Sequence, residues 1–156
     1  MAVTASRPDR NVQGFVELTR ERLLPVAGPD IAARVKARAV TADLLSSLPC
    51  IAYDESLPLI REFFQEVFGT TTEMQAVAVA PDLRLLLEMT KAGAGWTVLP
   101  DYLCADAVKA GRLVVLPTPG EIPENMIYLA WNKPSLRHPR VVYVRDYLLA
   151  SAKRNL

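Results

Sequence analysis

The sequence predicts an α/β fold, and three recurring features from residue 49 onward support this prediction. Short apolar runs alternate with stretches whose apolar residues recur every three or four positions, as buried strands and amphipathic helices require. An acidic residue or a proline follows the apolar runs, and a glycine closes the helical stretches. Together they indicate the order βαβαβαβ over residues 50–116, with the four strands as neighbours in one sheet.

The first strand and helix of this order are marked at both ends. Cys50–Tyr53 is a short apolar run after a proline, which is typical of a buried strand. Apolar residues then recur at positions 59, 63 and 67 and again at 60, 64 and 68, which gives one helix a wide apolar face. Pro58 fits only the first turn of such a helix, and Gly69 ends it.

The remaining strands and helices of the order follow the same signals. Met74–Ala80 is apolar at six of its seven positions, which predicts a strand covered on both faces. Asp82 is expected to cap a helix that ends at Gly93, and Asp101 a helix that runs through residue 110. The third and fourth strands are predicted at Trp96–Leu99 and at Arg112–Leu116.

The flanking segments carry weaker patterns. Two extended segments, Val12–Leu18 and Leu23–Ala27, are separated by four charged or polar residues, and Pro25 confines the second to a sheet edge or an irregular path. Short helical pieces are predicted at residues 31–39 and 41–48. A further strand is expected at residues 126–131 and a last helix at residues 139–153.

Composition restricts the class of protein. The chain of 156 residues is 51% apolar and 22% charged, which suits a globular domain and excludes disorder and a coiled coil. A formal net charge of +1 is too small for a module that binds phosphate backbones directly. No apolar run reaches the ~18 residues of a membrane span, and residues 1–11 lack a secretion signal, so we expect a cytoplasmic protein with no membrane contact.

Residues for catalysis, metal binding or cofactor binding are scarce. His138, the single histidine, lies in a polar stretch before the last helix and is expected at the surface. Cys50 and Cys104 are far apart in apolar stretches, which favours neither a metal site nor a disulfide. Gly93-Ala94-Gly95 precedes a strand instead of following one, so we interpret it as a helix end and a tight turn, with no dinucleotide site. The sequence therefore predicts no catalytic residue, metal or cofactor.

Acidic residues follow the predicted strands and mark a candidate ligand site. Asp54, Glu55, Asp82 and Asp101 are expected to cap helices or occupy their first turns. In an open α/β sheet such junctions line the crevice beyond the carboxyl ends of the strands, where ligands bind. The predicted pocket wall consists of Tyr53, Asp54, Glu55, Ser56, Ala80, Pro81 and Trp96. The charge of the ligand stays open, because helix N-termini favour an anion and the carboxylates disfavour one.

The chain resembles the effector-binding domain of the LysR-type transcriptional regulators. Residues 18–27 (LTRERLLPVA) resemble the segment in which that family's chain crosses between two lobes, and residues 44–56 (LLSSLPCIAYDES) resemble its strand-to-helix passage. The most specific stretch is residues 82–100 followed by the GRLVVL of residues 111–116. Residues 128–133 (YLAWNK) with the last helix resemble the return crossing.

The resemblance implies a periplasmic-binding-protein-like (type II) fold of two lobes with a small-molecule cleft between them. It assigns residues 25–123 to a complete second lobe and residues 1–24 and 124–156 to a partial first lobe, whose opening elements are missing. The winged helix-turn-helix through which the family contacts DNA is expected to be absent from this chain. Effector contacts carried over by position are Tyr53, Glu55, Ser56, Ala80, Pro81 and Trp96.

Three functions follow as hypotheses. The first is an effector-sensing and oligomerisation domain of a LysR-type regulator, acting by ligand-dependent lobe closure, with an unknown small molecule and a second copy of the chain as partners. The second is an α/β enzyme that uses Asp54 or Asp82 as a general base. The third is a solute-binding protein of a transport system, which shares the two-lobe architecture.

Overall fold

A computed structural model describes residues 1–36 and 40–152 and divides the chain into two compact units. Unit 1 comprises Met1–Glu21 and Glu124–Leu156, and unit 2 comprises Arg22–Pro123. The predicted end of one helical piece at residue 39 and of the last helix at residue 153 lie outside the described residues.

The strands and helices follow each other in the predicted alternation. The strands are β1 (Ala2–Thr4), β2 (Gln13–Ala27), β3 (Ile51–Ala52), β4 (Ala78–Val79), β5 (Thr97–Pro100), β6 (Val114–Val115) and β7 (Glu124–Asn132). The helices are α1 (Pro29–Lys36), α2 (Ala42–Ser46), α3 (Pro58–Phe68), α4 (Leu83–Lys91), α5 (Asp101–Lys109) and α6 (Pro139–Ala152), with a 3₁₀ helix at Lys133–Arg137.

Unit 1 is built on an antiparallel sheet. β1 pairs with β7 in the register Ala2↔Ala130 to Thr4↔Tyr128, and β7 has β2 on its other side. Tyr128 and Leu129 are buried, and the Tyr128 ring meets Phe15 edge-on with centroids 5.6 Å apart. Helix α6 has no fully buried side chain, so the core of this unit is small.

Unit 2 contains a sheet that mixes parallel and antiparallel pairs. β3 and β4 are parallel, and an isolated parallel bridge joins Cys50 to Trp96 at the start of β5. β5 and β6 both pair with β2, antiparallel to it. The prediction that the four strands of residues 50–116 are all neighbours is therefore wrong for β6, because the second half of β2 lies between β5 and β6.

The path of β2 also differs from the prediction. Residues 19–22, where a break was predicted, belong to one continuous strand. β2 pairs with neighbouring strands, and the backbone hydrogen bonds of a sheet do not depend on side-chain charge. Pro25 lies in an interior strand and not at an edge. Its missing N–H is tolerated because β6 ends at Val115, and the Leu116 N–H still donates to the Pro25 carbonyl at 2.8 Å.

β4 is an edge strand with one exposed face, contrary to the prediction of a strand buried on both faces. Val77 and Val79 are 63% and 45% exposed, whereas Ala80 is 4% exposed. Exposure alternates along residues 74–79, as expected for a strand that packs on one side only. Six apolar residues among seven do not distinguish the two cases, because alanine and valine occur in both.

Both faces of the unit 2 sheet are covered by helices. Cys50, Ala52, Trp96 and Val98 point into a core shared with α1, α2 and α3, whereas Ile51 and Leu99 point into a second core shared with α4 and α5. This alternation is the two-residue period of strands. Burial raises the pKa of the Cys50 thiol to about 11 and, with help from the Asp101 charge, that of Cys104 to about 12. Both thiols therefore pack as protonated, weakly polar groups at neutral pH.

The predicted helix ends are confirmed where local chemistry sets them. Asp82 caps α4 by accepting from the backbone N–H groups of Arg84 (2.7 Å) and Leu85 (3.2 Å). Gly93 follows α4 with φ +82°, a conformation that suits glycine. At Gly95 a Cβ would lie 2.8 Å from the Pro49 carbonyl oxygen, so this glycine allows β3 and β5 to approach. The interpretation of Gly93-Ala94-Gly95 as a helix end and turn is confirmed.

Replacing Phe63 with alanine should lower the free energy of unfolding by about 3–5 kcal/mol, because the ring is 0% exposed and packs edge-on against Trp96 and Phe68. Urea denaturation measures this change. The exposed Gln65 on the same helix is the matched control, and Gln65→Ala should stay within about 0.5 kcal/mol. Equal effects of the two substitutions would contradict the orientation of α3.

Candidate functional site

The carboxyl ends of β3 and β4 bring two of the predicted site segments together. Ile51 pairs with Ala78 and Ala52 with Val79, and the Ala80 N–H donates to the Ala52 carbonyl at 2.9 Å. Residues 53–56 and residues 80–81 therefore leave the sheet side by side. Parallel strands place their following loops at one edge, which is where ligands bind in α/β sheets.

The predicted residues at this edge differ in their exposure. Tyr53 is 40% exposed, and Glu55, Ser56 and Pro81 are also exposed to solvent. Ala80 is 4% exposed, so it offers a ligand little more than backbone. Four of the six predicted contact residues thus present side chains to the solvent at one edge of the sheet.

Trp96 lies elsewhere, and its predicted position in the pocket wall is corrected. Its side chain is 0% exposed, and the indole N–H donates to the Leu45 carbonyl at 3.1 Å inside the core. Trp96 pairs with Cys50 at the start of β5, which is the end of the sheet opposite to the carboxyl edge. A strand's first residue and the last residues of its parallel neighbours cannot share one edge.

The same register shows which residues sequence reasoning missed. Since Cys50 is level with Trp96, Tyr53 is level with Leu99, and β5 passes directly into α5 after Pro100. Tyr102 in the first turn of α5 and Asp106 one turn later therefore lie near Tyr53. The sequence does contain a signal for this part of the edge. Asp101-Tyr102 directly follows the apolar run of β5, so this pair lies at the carboxyl end of the strand.

The acidic residues at the edge are engaged in local hydrogen bonds. The Ser56 N–H and hydroxyl donate to one Asp54 carboxylate oxygen at 2.7 and 2.5 Å. Asp54 thus closes a turn, and the N-cap of α3 is Leu57. The Asp101 carboxylate accepts from the backbone N–H groups of Tyr102 (2.9 Å) and Arg22 (3.3 Å). Among the four acids predicted to be caps or first-turn residues, Asp82 is the N-cap and Asp101 lies in a first turn.

Leu57 adopts an unusual backbone conformation directly after this turn. Its φ and ψ are 54° and 47°, in the left-handed region, although the residue is a leucine that is 1% exposed. Leucine adopts this region at a cost of about 1–2 kcal/mol, so the surrounding packing must hold it there. The strain lies at the junction that carries Tyr53–Ser56.

One recess opens at this edge of unit 2, and a second lies along β4 and the residues before it. The larger, about 670 Å³, is lined by Tyr53, Pro81, Asp82, Arg84, Tyr102 and Asp106 together with two leucines. The smaller, about 400 Å³, is lined by Glu55, Gln75, Ala76 and Val79. The first is within the size range of small-molecule sites. We call it the tyrosine recess.

His138 is exposed at the end of the 3₁₀ helix. Its backbone N–H donates to the Ser135 carbonyl at 3.1 Å. Within residues 1–36 and 40–152 no group of three His, Cys, Asp or Glu side chains could hold a metal ion. No helix in the same residues is long and apolar enough to cross a membrane.

A protein-family model described as the LysR substrate binding domain matches residues 1–153. The chain belongs to this family. The resemblance seen in the sequence is confirmed, and so is the periplasmic-binding-protein-like α/β fold that it implied.

Individual relatives of this LysR domain are transcriptional regulators. The HTH-type transcriptional regulator AbaB of Streptomyces antibioticus is 32% identical over 155 residues, which cover 97% of this chain and 52% of AbaB. The C-terminal domains of a LysR family protein from Agrobacterium tumefaciens superpose with a TM-score of 0.82 at 25% identity, covering 99% of this chain and 72% of that one. The chain spans about half the length of the curated relatives it matches.

A third comparison shows a similar fold with a bound ligand. Full-length LysG from Corynebacterium glutamicum, solved with bound effector Arg, superposes with a TM-score of 0.75 at 20% identity, covering 96% of this chain and 50% of LysG. The two proteins share the fold of the LysR domain.

Replacing Leu57 with glycine should leave the LysR domain about 1 kcal/mol more stable than replacing it with alanine. Both variants lose the same buried side chain, but only alanine keeps the left-handed backbone cost. Urea denaturation of the two variants measures the difference. Leu45, buried in α2, is the matched control, and there alanine should be more stable than glycine by about 1 kcal/mol. The same order at both positions would contradict the strain at Leu57.

Proposed function

We propose that this chain is the effector-sensing part of a LysR-type transcriptional regulator. The observation that carries the proposal is the carboxyl edge of unit 2, where exposed side chains that follow parallel strands line a recess of ligand size. Membership of the LysR substrate binding domain family supports the assignment of this edge to a small-molecule effector.

The proposed effector contacts are the exposed residues of the two loops. Tyr53 supplies a ring face, Glu55 a carboxylate, and Ser56 a hydroxyl that already donates to Asp54. Pro81 and the backbone of Ala80 form the neighbouring wall. Trp96 is not among them, since it packs inside the core against Phe63 and Phe64 of α3.

In the proposed mechanism the effector shifts a population of conformations. A ligand changes such an equilibrium only through its different affinities for the states involved. Here the states are those of the ligand-dependent lobe closure that the family resemblance implies, and the closed state is the signal. The DNA-binding winged helix-turn-helix of the regulator would receive this signal, and a second copy of the chain would complete the regulatory assembly.

The alternative functions receive less support from the structure. An enzyme would need a free carboxylate, but Asp54 is engaged by Ser56, and Asp82 by two backbone N–H groups of α4. The curated relatives that match are transcriptional regulators, which favours a regulator over a transport protein.

A panel of amino acids, amines and carboxylic acids, L-arginine included, should contain a compound that raises the thermal unfolding temperature. Ligand at about 100 times its Kd stabilises the folded state by about 2.7 kcal/mol. Tyr53→Ala and Glu55→Gln should each reduce this shift, whereas Glu66→Gln, an exposed control on α3, should not. A panel with no stabilising compound, or a shift that all three variants preserve, would contradict the proposed site.

The chain should associate with itself through unit 1. Val3, Val12, Tyr143, Val144 and Tyr147 of this unit are 45–72% exposed, and self-association would cover this apolar surface. Light scattering should give a mass of at least twice 17.2 kDa. Tyr147→Glu should shift the mass toward the monomer, and Val77→Glu in unit 2 is the control that should not. A monomer at high protein concentration would contradict this prediction.

A further inference from the structure

The tyrosine recess contains charged and aromatic groups that the family resemblance did not assign. It includes Tyr53 from the proposed effector site but extends to the first turns of α4 and α5. All of its lining residues belong to unit 2, so its composition does not depend on unit 1. The following inference rests on the proposed function and specifies the ligand at that site.

Two aromatic rings are presented to this recess from different elements. Tyr53 follows β3 and is 40% exposed, and Tyr102 lies in the first turn of α5 and is 67% exposed. Leu83 and Leu103 add apolar surface between them. Exposed ring faces favour a flat or apolar ligand body, and they also favour a neighbouring cation.

The charges of the recess are mixed in sign. Asp82 and Asp106 supply carboxylates, and Arg84 supplies a guanidinium group. In the part of the chain that the structure describes, no ion pair links Asp106 or Arg84 to an oppositely charged side chain. Asp82 already accepts two N–H groups of α4, so Asp106 and Arg84 are the groups with charge left for a ligand.

These groups together select one class of ligand. A simple anion would face two carboxylates, and a simple amine would leave Arg84 without a counter-charge. A ligand with an ammonium and a carboxylate group satisfies both signs, and its side chain can lie against the tyrosine rings. We propose that the tyrosine recess binds a free amino acid in its zwitterionic form, with a flat side chain that is aromatic or carries a guanidinium group. Asp106 holds the ammonium group and Arg84 the carboxylate group.

Isothermal titration calorimetry with three related probes tests this assignment. L-phenylalanine carries both charged groups, phenethylamine lacks the carboxylate, and 3-phenylpropionate lacks the amine. Each missing group removes a charge-assisted contact, so L-phenylalanine should bind about tenfold more tightly than either analogue. L-tryptophan and L-arginine should bind as L-phenylalanine does, to within about tenfold.

Substitutions should separate the two charged contacts. Asp106→Asn should weaken L-phenylalanine and phenethylamine about tenfold but not 3-phenylpropionate, and Arg84→Gln should weaken L-phenylalanine and 3-phenylpropionate but not phenethylamine. Tyr102→Leu should weaken all three probes, whereas Tyr102→Phe keeps the ring and the affinity. Asp43→Asn, on the exposed side of α2, is the matched charge control and should change nothing. Circular dichroism of each variant checks that it folds.

The outcomes distinguish this inference from the function on which it rests. Failure of L-phenylalanine, L-tryptophan and L-arginine to bind overturns the inference, and so does equal binding of the three phenyl probes. Binding that ignores both Asp106→Asn and Arg84→Gln also overturns it. If another class of compound stabilises the protein and responds to Tyr53→Ala or Glu55→Gln, the effector-sensing function stands while the amino-acid assignment falls.

Discussion

The parallel register between β3 and β5 determines which side chains of this domain can meet a ligand. Two backbone hydrogen bonds fix it: the Trp96 N–H donates to the Pro49 carbonyl at 2.9 Å, and the Ile51 N–H donates to the Trp96 carbonyl at 3.0 Å. Gly95 makes this approach possible because a side chain there would collide with Pro49. As a result Trp96 enters the core, and Tyr53 shares the carboxyl edge with the start of α5.

Burial on both faces of the sheet holds this register in place. The aromatic group of Phe63, Phe64 and Trp96 fills one face, and α4 and α5 cover the other. A shift by one residue would exchange the faces of every side chain in a strand, placing Trp96 against α4 and α5. Such a shift is excluded because the large side chain of Trp96 would not fit on that face. The positions of the loops after β3, β4 and β5 are therefore determined by packing in the core. The position of the proposed effector site therefore depends on the core, and the strained Leu57 backbone is held by the same packing.

The sequence predicted the parts of the fold that depend on local chemistry. The bounds of α3 and α4 follow from Pro58, Gly69, Asp82 and Gly93, each of which acts within one helical turn. The position of β2 between β5 and β6 could not be predicted, because it depends on pairing between residues about 70–90 positions apart. Pro25 and the charged or polar residues 19–22 suggested a break in the strand, but strand pairing overrode these local signals.

The candidate site was predictable in part for the same reason. The junctions after β3 and β4 were located correctly from their apolar runs, since a strand and the loop after it are adjacent in sequence. Trp96 was misplaced although the predicted strand Trp96–Leu99 already began with it, because the first residue of a parallel strand lies at the edge opposite to the carboxyl ends. Tyr102 and Asp106 were missed because their place beside Tyr53 depends on register.

Amide hydrogen exchange with and without a stabilising effector locates the ligand without assuming its contacts. A ligand at the carboxyl edge of unit 2 should slow exchange at residues 53–56, 80–84 and 101–106, the three segments that leave this edge. Slower exchange confined to unit 1, or to the opposite edge around residues 94–97, would contradict this placement of the ligand.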